Sequence, residues 1–375
     1  MTDTPTALPT DLPDGATPTA LVVGATGISG RALSHRLVDD GWRVLGLSRR
    51  SASDVEGVEA VRADLTDAQA LADALREHAP THVFLTAWAK QDTEEQNIAV
   101  NGAMVRDVLA AVRPAGTVRH VALVTGLKHY LGPFEAYGQG EVPDTPFHED
   151  EPRLPHPNFY YAQEDELFAA AERDGFTWSV HRAHTMLGHA LGGAMNIAQT
   201  LAAYAAICRE TGRPFTFPGS RTQWDGLTDV TSADLLADQM VWAATTPAAA
   251  DTAFNTANGD VFRWRWLWPR LADALGVEPE GYADAPRPLE EQMAGVEDTW
   301  RTIAEREHLT EADLDRVASW WHTDGDLGRE MECLTDQTRA RRAGWVGHRP
   351  TLDAFRAVFA ELEAAQVVPA TPARD

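Results

Sequence analysis

Four apolar residues, Ala20-Leu21-Val22-Val23, run directly into Gly24-Ala25-Thr26-Gly27-Ile28-Ser29-Gly30, and helical spacing follows at Ala32, Leu33 and Leu37. No other feature restricts the fold as strongly as this order of strand, glycine turn and helix. A short apolar run without polar alternation suits a strand buried on both faces. Glycines at G-x-x-G-x-x-G spacing permit a tight turn. They also let a pyrophosphate approach the backbone N–H groups at the helix start. The spacing is not the G-x-G-x-x-G of many dehydrogenases, and an ordinary glycine-rich turn is the competing reading. Its place at the head of a βαβ unit favours a dinucleotide site that uses Gly24, Thr26, Gly27, Ile28 and Gly30.

The pattern then repeats. Strands are predicted at 43–48, 59–63, 82–86 and 120–124, with helices at 68–78 and 99–112 between them. Such alternation predicts an α/β fold, a Rossmann-type doubly wound parallel sheet. Residues 126–158, rich in Gly, Pro and aromatics, read as a long ordered loop, followed by a helix from Tyr161 to Asp174 and a strand at 178–181. From about residue 262 the chain is Trp-rich and mostly helical. The expected organisation is a disordered tail over 1–18 and a dinucleotide-binding domain over 19–187, with a return segment at about 226–260. A smaller, mainly helical substrate-covering region takes 188–225 and 261–375. Trp264, Trp266 and Trp268 read as core packing rather than as an aromatic substrate box.

Asp and Glu total 56 against 32 Lys and Arg, a formal charge of -24. That charge repels phosphate backbones, so no nucleic-acid partner is expected. No apolar run is long enough for a membrane span. The start of the chain has neither the basic nor the apolar part of a signal peptide. Two distant cysteines, Cys208 and Cys333, read as buried thiols in a reducing, cytoplasmic setting. A homodimer is left open.

The end of the second strand selects the cofactor. An Asp or Glu there would hold a ribose 2′-hydroxyl. The chain instead has Ser48-Arg49-Arg50, with no acid until Asp54. Paired guanidinium groups suit a 2′-phosphate and hence NADPH/NADP+, against the competing reading of a solvated basic pair. Asp64 and Leu65 after the third strand, and Thr125 and Gly126 after the fifth, complete the expected cofactor contacts. No Tyr-x-x-x-Lys pair exists: Tyr160 is followed at i+4 by Glu164, and Tyr161 by Asp165. The chain has only two lysines, Lys90 and Lys128, against 30 arginines. Lys128 lies just past the fifth strand, where sites in such sheets form.

The stretch from Leu123 through Thr125-Gly126-Leu127-Lys128-His129-Tyr130 to Gly138 closely resembles the progesterone 5β-reductase and iridoid synthase-like family of extended short-chain dehydrogenases/reductases. So do Asn158-Phe159-Tyr160-Tyr161, Trp178-Ser179-Val180-His181-Arg182, Trp224-Asp225-Gly226 and Ser319-Trp320-Trp321. The resemblance covers about residues 20–368. It implies an NADPH-dependent reductase of activated alkenes, such as enones, with Lys128 and Tyr160 as the catalytic pair. It places Trp88, Phe134, Tyr137 and Asn196 in a substrate pocket. The chain departs from the family at Ala183-His184, where a proline is usual, at Ala87, and over Gly188–Gly193. Steroid specificity therefore does not carry over.

The chemistry of such a pair can be derived. Hydride addition to the β-carbon of an enone drives charge onto the carbonyl oxygen, and a donor aimed there stabilises it. A neighbouring cation is expected to lower the pKa of Tyr160. A 1,2-carbonyl reductase, a non-turnover NADP-binding regulator and an isomerase are the alternatives. His129, His181 and His184 read as satisfied core or surface histidines, and no cluster has metal-ligand spacing.

Overall fold

Strands along residues 19–126 are apolar over most of their length because helices cover both faces of the sheet they form. The computed structural model describes residues 17–49, 53–132, 144–193 and 195–372. Seven strands, β1 (Thr19–Val23), β2 (Arg43–Ser48), β3 (Val58–Arg62), β4 (His82–Leu85), β5 (His120–Gly126), β6 (Thr177–Ala183) and β7 (Thr252–Thr256), pair in parallel in the order β7-β6-β5-β4-β1-β2-β3. The order reverses between β1 and β4, and ligands of open α/β sheets bind outside the strand carboxyl ends at such a reversal. Six strands lie where the sequence predicts them. β7 is an addition: Thr-Ala-Phe-Asn-Thr is too short and too polar to announce a strand, and only its pairing with β6 defines it.

The helices used below are α1 (Ile28–Asp39), α2 (Ala68–Leu75), α3 (Glu94–Val112), α4 (Lys128–Leu131), α5 (Phe159–Asp174), α6 (Ile197–Thr211), α7 (Ala233–Thr245), α8 (Trp264–Ala274) and α9 (Trp320–Leu327). The period of two along each strand divides the core. Leu21, Val23, Leu45 and Leu47 meet Leu71 of α2, Val105 and Val108 of α3 and Leu167 of α5. Ala20, Val22 and Val44 turn the other way, onto Leu33 and Leu37 of α1 and Leu236 and Met240 of α7.

A third apolar cluster, drawn from residues between Leu187 and Val368, forms around α6, which is buried on nearly every side. Trp268 is fully buried there, stacked on Phe215 at 4.2 Å between ring centroids, and its Nε1 donates to the Phe215 carbonyl at 2.9 Å. Trp264 is likewise buried, while Trp266 is 45% exposed under the Arg270 guanidinium. The triplet is therefore core and surface, and none of it lines the cavity described below. Both cysteines are buried thiols.

The long loop expected over 126–158 begins instead with the helical turn α4. Burial of Tyr130 and Leu131 beside Phe147 and Met331 favours the turn over a loop. Residues 1–16 and 133–143 lie outside the described residues. Among the described residues, no helix is long and apolar enough to cross a membrane.

Trp268→Ala removes a stacked, hydrogen-bonded core ring and should cost about 3–5 kcal/mol in urea unfolding. Trp266→Ala should cost less than about 1 kcal/mol. Comparable losses would show that the exposed ring also has a structural role.

Candidate active site

A cavity of about 680 Å³ opens at the carboxyl ends of β1, β4, β5 and β6. Of the residues assigned to the cofactor from sequence, Gly24, Thr26, Gly27, Ile28, Ser48, Arg49, Asp64, Leu65, Thr125 and Gly126 line it. Gly24 takes a positive φ of 90°, and its N–H donates to the Leu47 carbonyl at 2.9 Å, tying the turn to β2. Gly30 does not line the cavity. It sits where α1 meets the turn, and a Cβ there would collide with the Gly24 carbonyl. α1 opens at Gly27 with no side-chain cap and no acid in its first turn, so its N–H groups are left for an anion.

Arg49 is exposed at the cavity edge and has no ion-pair partner among the described residues. Asp54, the first acid after β2, is held instead by Arg31 at 3.0 Å. Asp64 folds its carboxylate back onto the Thr66 N–H at 2.9 Å and hydroxyl at 2.7 Å. These bonds, with nearby Arg49, hold it below the usual carboxylate range. Arg50 lies outside the described residues, as do Phe134 and Tyr137.

Lys128 and Tyr160 both line the cavity. α5 begins at Asn158, whose side-chain oxygen accepts from the N–H groups of Tyr160 at 3.0 Å and Tyr161 at 3.3 Å, an N-cap. The Asn158 amide donates to the Lys128 carbonyl at 3.3 Å. Glu94, in the first turn of α3, accepts from the Phe159 N–H at 2.8 Å and lies 3.7 Å from the Lys128 Nζ. The two tyrosines have different duties. Tyr161 donates its hydroxyl to the His129 carbonyl at 2.7 Å and accepts from the Leu154 N–H at 3.0 Å. The Tyr160 hydroxyl has no such protein bond among the described residues. It lies against Gly126, where a Cβ would be 3.3 Å from it and 2.6 Å from the Ala183 carbonyl oxygen.

One expectation is corrected here. Tyr160 is pushed above the ordinary phenol range, not below it, by burial first and then by the Glu94 carboxylate. Lys128 is paired with that same carboxylate, which opposes the field the cation was expected to supply. The Tyr160 phenol is therefore a proton-bearing donor at neutral pH.

Trp88 lines the cavity and stacks on Phe159 at 5.3 Å. Asn196 also lines it, but its side chain caps α6 by accepting from the Gln199 N–H at 3.3 Å and donates to the Gly188 carbonyl at 2.7 Å. It shapes the wall as much as it faces a ligand.

The sequence reading missed several wall residues. Glu94 gives no linear signal of its link to Lys128. His184 is buried in the lining with Nε2 bound to Asp229, whose other oxygen accepts from the Thr335 N–H at 3.0 Å and hydroxyl at 2.7 Å. His181, by contrast, is core as expected: its Nδ1 meets Gln239 at 2.8 Å, and burial holds it down at about 4. His129 gives its Nε2 to the Glu151 carbonyl at 3.1 Å. His322 and Asp326 of α9, and Arg329 beyond it, form a further part of the wall.

The chain matches the family model described as the NAD dependent epimerase/dehydratase family over residues 20–257. It is 38% identical to an (S)-8-oxocitronellyl enol synthase of Camptotheca acuminata, covering 96% of this chain and 95% of that protein. It is also 38% identical to a 3-oxo-Delta(4,5)-steroid 5-beta-reductase of Arabidopsis thaliana, with 93% of each chain covered. Among solved structures, UDP-glucose 4-epimerase of Thermotoga maritima superposes with a TM-score of 0.65 at 16% identity, covering 92% of this chain and 99% of that one. That likeness shows the extended short-chain dehydrogenase fold.

Glu94→Gln keeps an acceptor for the Phe159 N–H but removes the charge beside Tyr160. Loss of a like charge favours the phenolate, so the Tyr160 titration should move to lower pH. The check is the tyrosinate absorbance difference between Glu94→Gln and Glu94→Gln/Tyr160→Phe, compared with the same pair carrying Glu94. An unchanged or higher midpoint would contradict the electrostatic role given to Glu94.

Proposed function

The chain belongs to the NAD dependent epimerase/dehydratase family, within the progesterone 5β-reductase and iridoid synthase-like extended short-chain dehydrogenases/reductases, and is an oxidoreductase; from that premise we propose that it is an NADPH-dependent ene-reductase of enones and enals. The observation that carries this reading is the convergence of Lys128 and Tyr160 on the cavity that begins at the glycine turn. The relatives' names support it: one makes an enol, and the other reduces a 3-oxo-Δ(4,5) steroid. Both names describe carbonyl-conjugated chemistry.

The residues suit NADP. The uncapped start of α1 takes the pyrophosphate, and Ser48 and Arg49, with Arg50, take the 2′-phosphate. The reduced nicotinamide, when bound, supplies the hydride. Tyr160, protonated and without another acceptor among the described residues, donates to the carbonyl oxygen and stabilises the enolate left by hydride addition to the β-carbon. Lys128, held by Glu94, would supply a second donor to that oxygen and to the ribose. Its lysine comes from the turn after β5, 32 positions before the tyrosine. In enzymes with Tyr-x-x-x-Lys on one helix, the tyrosine sits where the nicotinamide faces the carbonyl carbon. A lysine supplied from another element leaves the tyrosine free to stand about one conjugated bond farther along, and in the proposed reaction hydride would then meet the β-carbon while solvent supplies the α-proton.

We assign residues 19–187 with about 226–260 to cofactor binding, and 188–225 with 261–375 to covering the substrate. The two buried thiols suit a reducing cytoplasm.

The first test is the cofactor. Arg49→Ala/Arg50→Ala should raise KM for NADPH far more than for NADH, since each charge-assisted phosphate bond is worth about 1.5–3 kcal/mol. Equal effects would show that the arginines do not read the phosphate. The second is catalysis with 2-cyclohexen-1-one, which should yield cyclohexanone. Tyr160→Phe should lower kcat by about 10²–10³, and Tyr161→Phe far less. An allylic alcohol as the main product would promote the carbonyl-reductase alternative. Tight NADPH binding without turnover would promote the regulator or isomerase.

A further inference from the structure

The cavity is assigned to the cofactor at its glycine-turn end, and a hydrocarbon-like enone would ask nothing polar of the wall that the later helical region contributes. One wall of this cavity is polar: His322 and Asp326 project from α9, and Arg329 follows it. Arg329 and Asp326 are an ion pair whose side chains are only 10% and 8% exposed. Arg329 also donates to the Thr185 hydroxyl at 3.3 Å. Thr185 lies in the turn after β6, on the same cavity, with a positive φ of 43° that a branched residue rarely adopts. His322 Nδ1 is buried without a hydrogen-bond partner, 3.7 Å from the second Asp326 oxygen and too far to bond it.

Buried polar groups are costly unless they are satisfied. A guanidinium has five N–H donors and a carboxylate about four acceptor sites. The pair can therefore serve its internal bonds and a ligand together. Its formal charges cancel, and burial holds His322 toward its neutral form. A wall of this kind suits a group that both accepts and donates without bringing a net charge. A carboxylate would gain Arg329 but be repelled by Asp326.

We propose that the substrates carry a hydroxyl group remote from the conjugated C=C–C=O unit, accepting from Arg329 and donating to Asp326. This rests on the ene-reductase reading and narrows its substrate class to hydroxylated enals and enones.

The test compares three compounds of equal chain length: a straight-chain enal, its terminal alcohol and its terminal carboxylate. For the unaltered enzyme, kcat/KM for the alcohol should exceed that for the plain enal by about tenfold or more, and the carboxylate should not be favoured. Arg329→Met/Asp326→Leu removes both charges together, so neither is left buried alone. In it the alcohol-to-enal ratio should collapse toward one, and Asp326→Asn should reduce the ratio. The ratio is internal to one preparation, so partial misfolding does not mimic the result. A purely bracing role for the pair would lower turnover of all three compounds in proportion and leave the ratio intact, which would overturn the proposal. So would an unaltered enzyme without preference for the alcohol, or one that favours the carboxylate. If no enal of the three consumes NADPH, the underlying functional reading fails, and this inference with it.

Discussion

The start of α5 holds the site together. Asn158 caps that helix, its amide reaches back to the Lys128 carbonyl, and Glu94 of α3 joins the Phe159 N–H to the Lys128 side chain. Three elements distant in sequence thus share one small knot of hydrogen bonds. Tyr161 tightens it from behind by bonding the His129 carbonyl. The Tyr160 hydroxyl, which has no protein hydrogen bond among the described residues, faces the cavity beside Gly126. A site built this way positions its donor through backbone and cap geometry, so reactive groups are held by rigid elements rather than by a loop.

The electrostatics follow from the same knot. Burial of the phenol, and then the Glu94 carboxylate that pairs with Lys128, hold the proton on Tyr160. A neutral phenol is a hydrogen-bond donor over the whole physiological range. It suits stabilisation of a developing oxyanion without a change of its own charge. At the opposite end, the uncapped start of α1 and Arg49, which has no ion-pair partner among the described residues, offer positive potential in a chain whose formal charge is -24. A chain with so large an acidic excess repels phosphates in general, so an anionic ligand would need such a place of local positive potential.

Much of this was legible in the sequence, for physical reasons. A buried parallel strand must be apolar on both faces, so β1 and β2 were visible as apolar runs. The Gly24 turn was visible because few other residues take its positive φ. Lys128 stood out in a chain with so few lysines. What stayed hidden depends on contacts across long stretches of sequence. β7 exists by pairing with β6. Glu94 matters because the first turn of α3 meets the first residue of α5, and nothing near residue 94 says so. The wall from His322 to Arg329 gives no linear signal of its own, and His184, marked in the sequence as a departure from the family and read as a satisfied histidine, shows its place in the cavity lining only in the fold. The expectation of a depressed Tyr160 failed for the same reason: it counted Lys128 and could count neither the burial of the phenol nor Glu94.

The central claim is that Tyr160 holds the carbonyl oxygen while hydride arrives one conjugated bond away. Reduced cofactor carrying deuterium at its transferable position, supplied with 2-cyclohexen-1-one, reports where the hydride lands. Delivery to the alkene predicts cyclohexanone with deuterium on the carbon β to the carbonyl and solvent hydrogen on the α-carbon. Deuterium on the carbinol carbon of an allylic alcohol would contradict it.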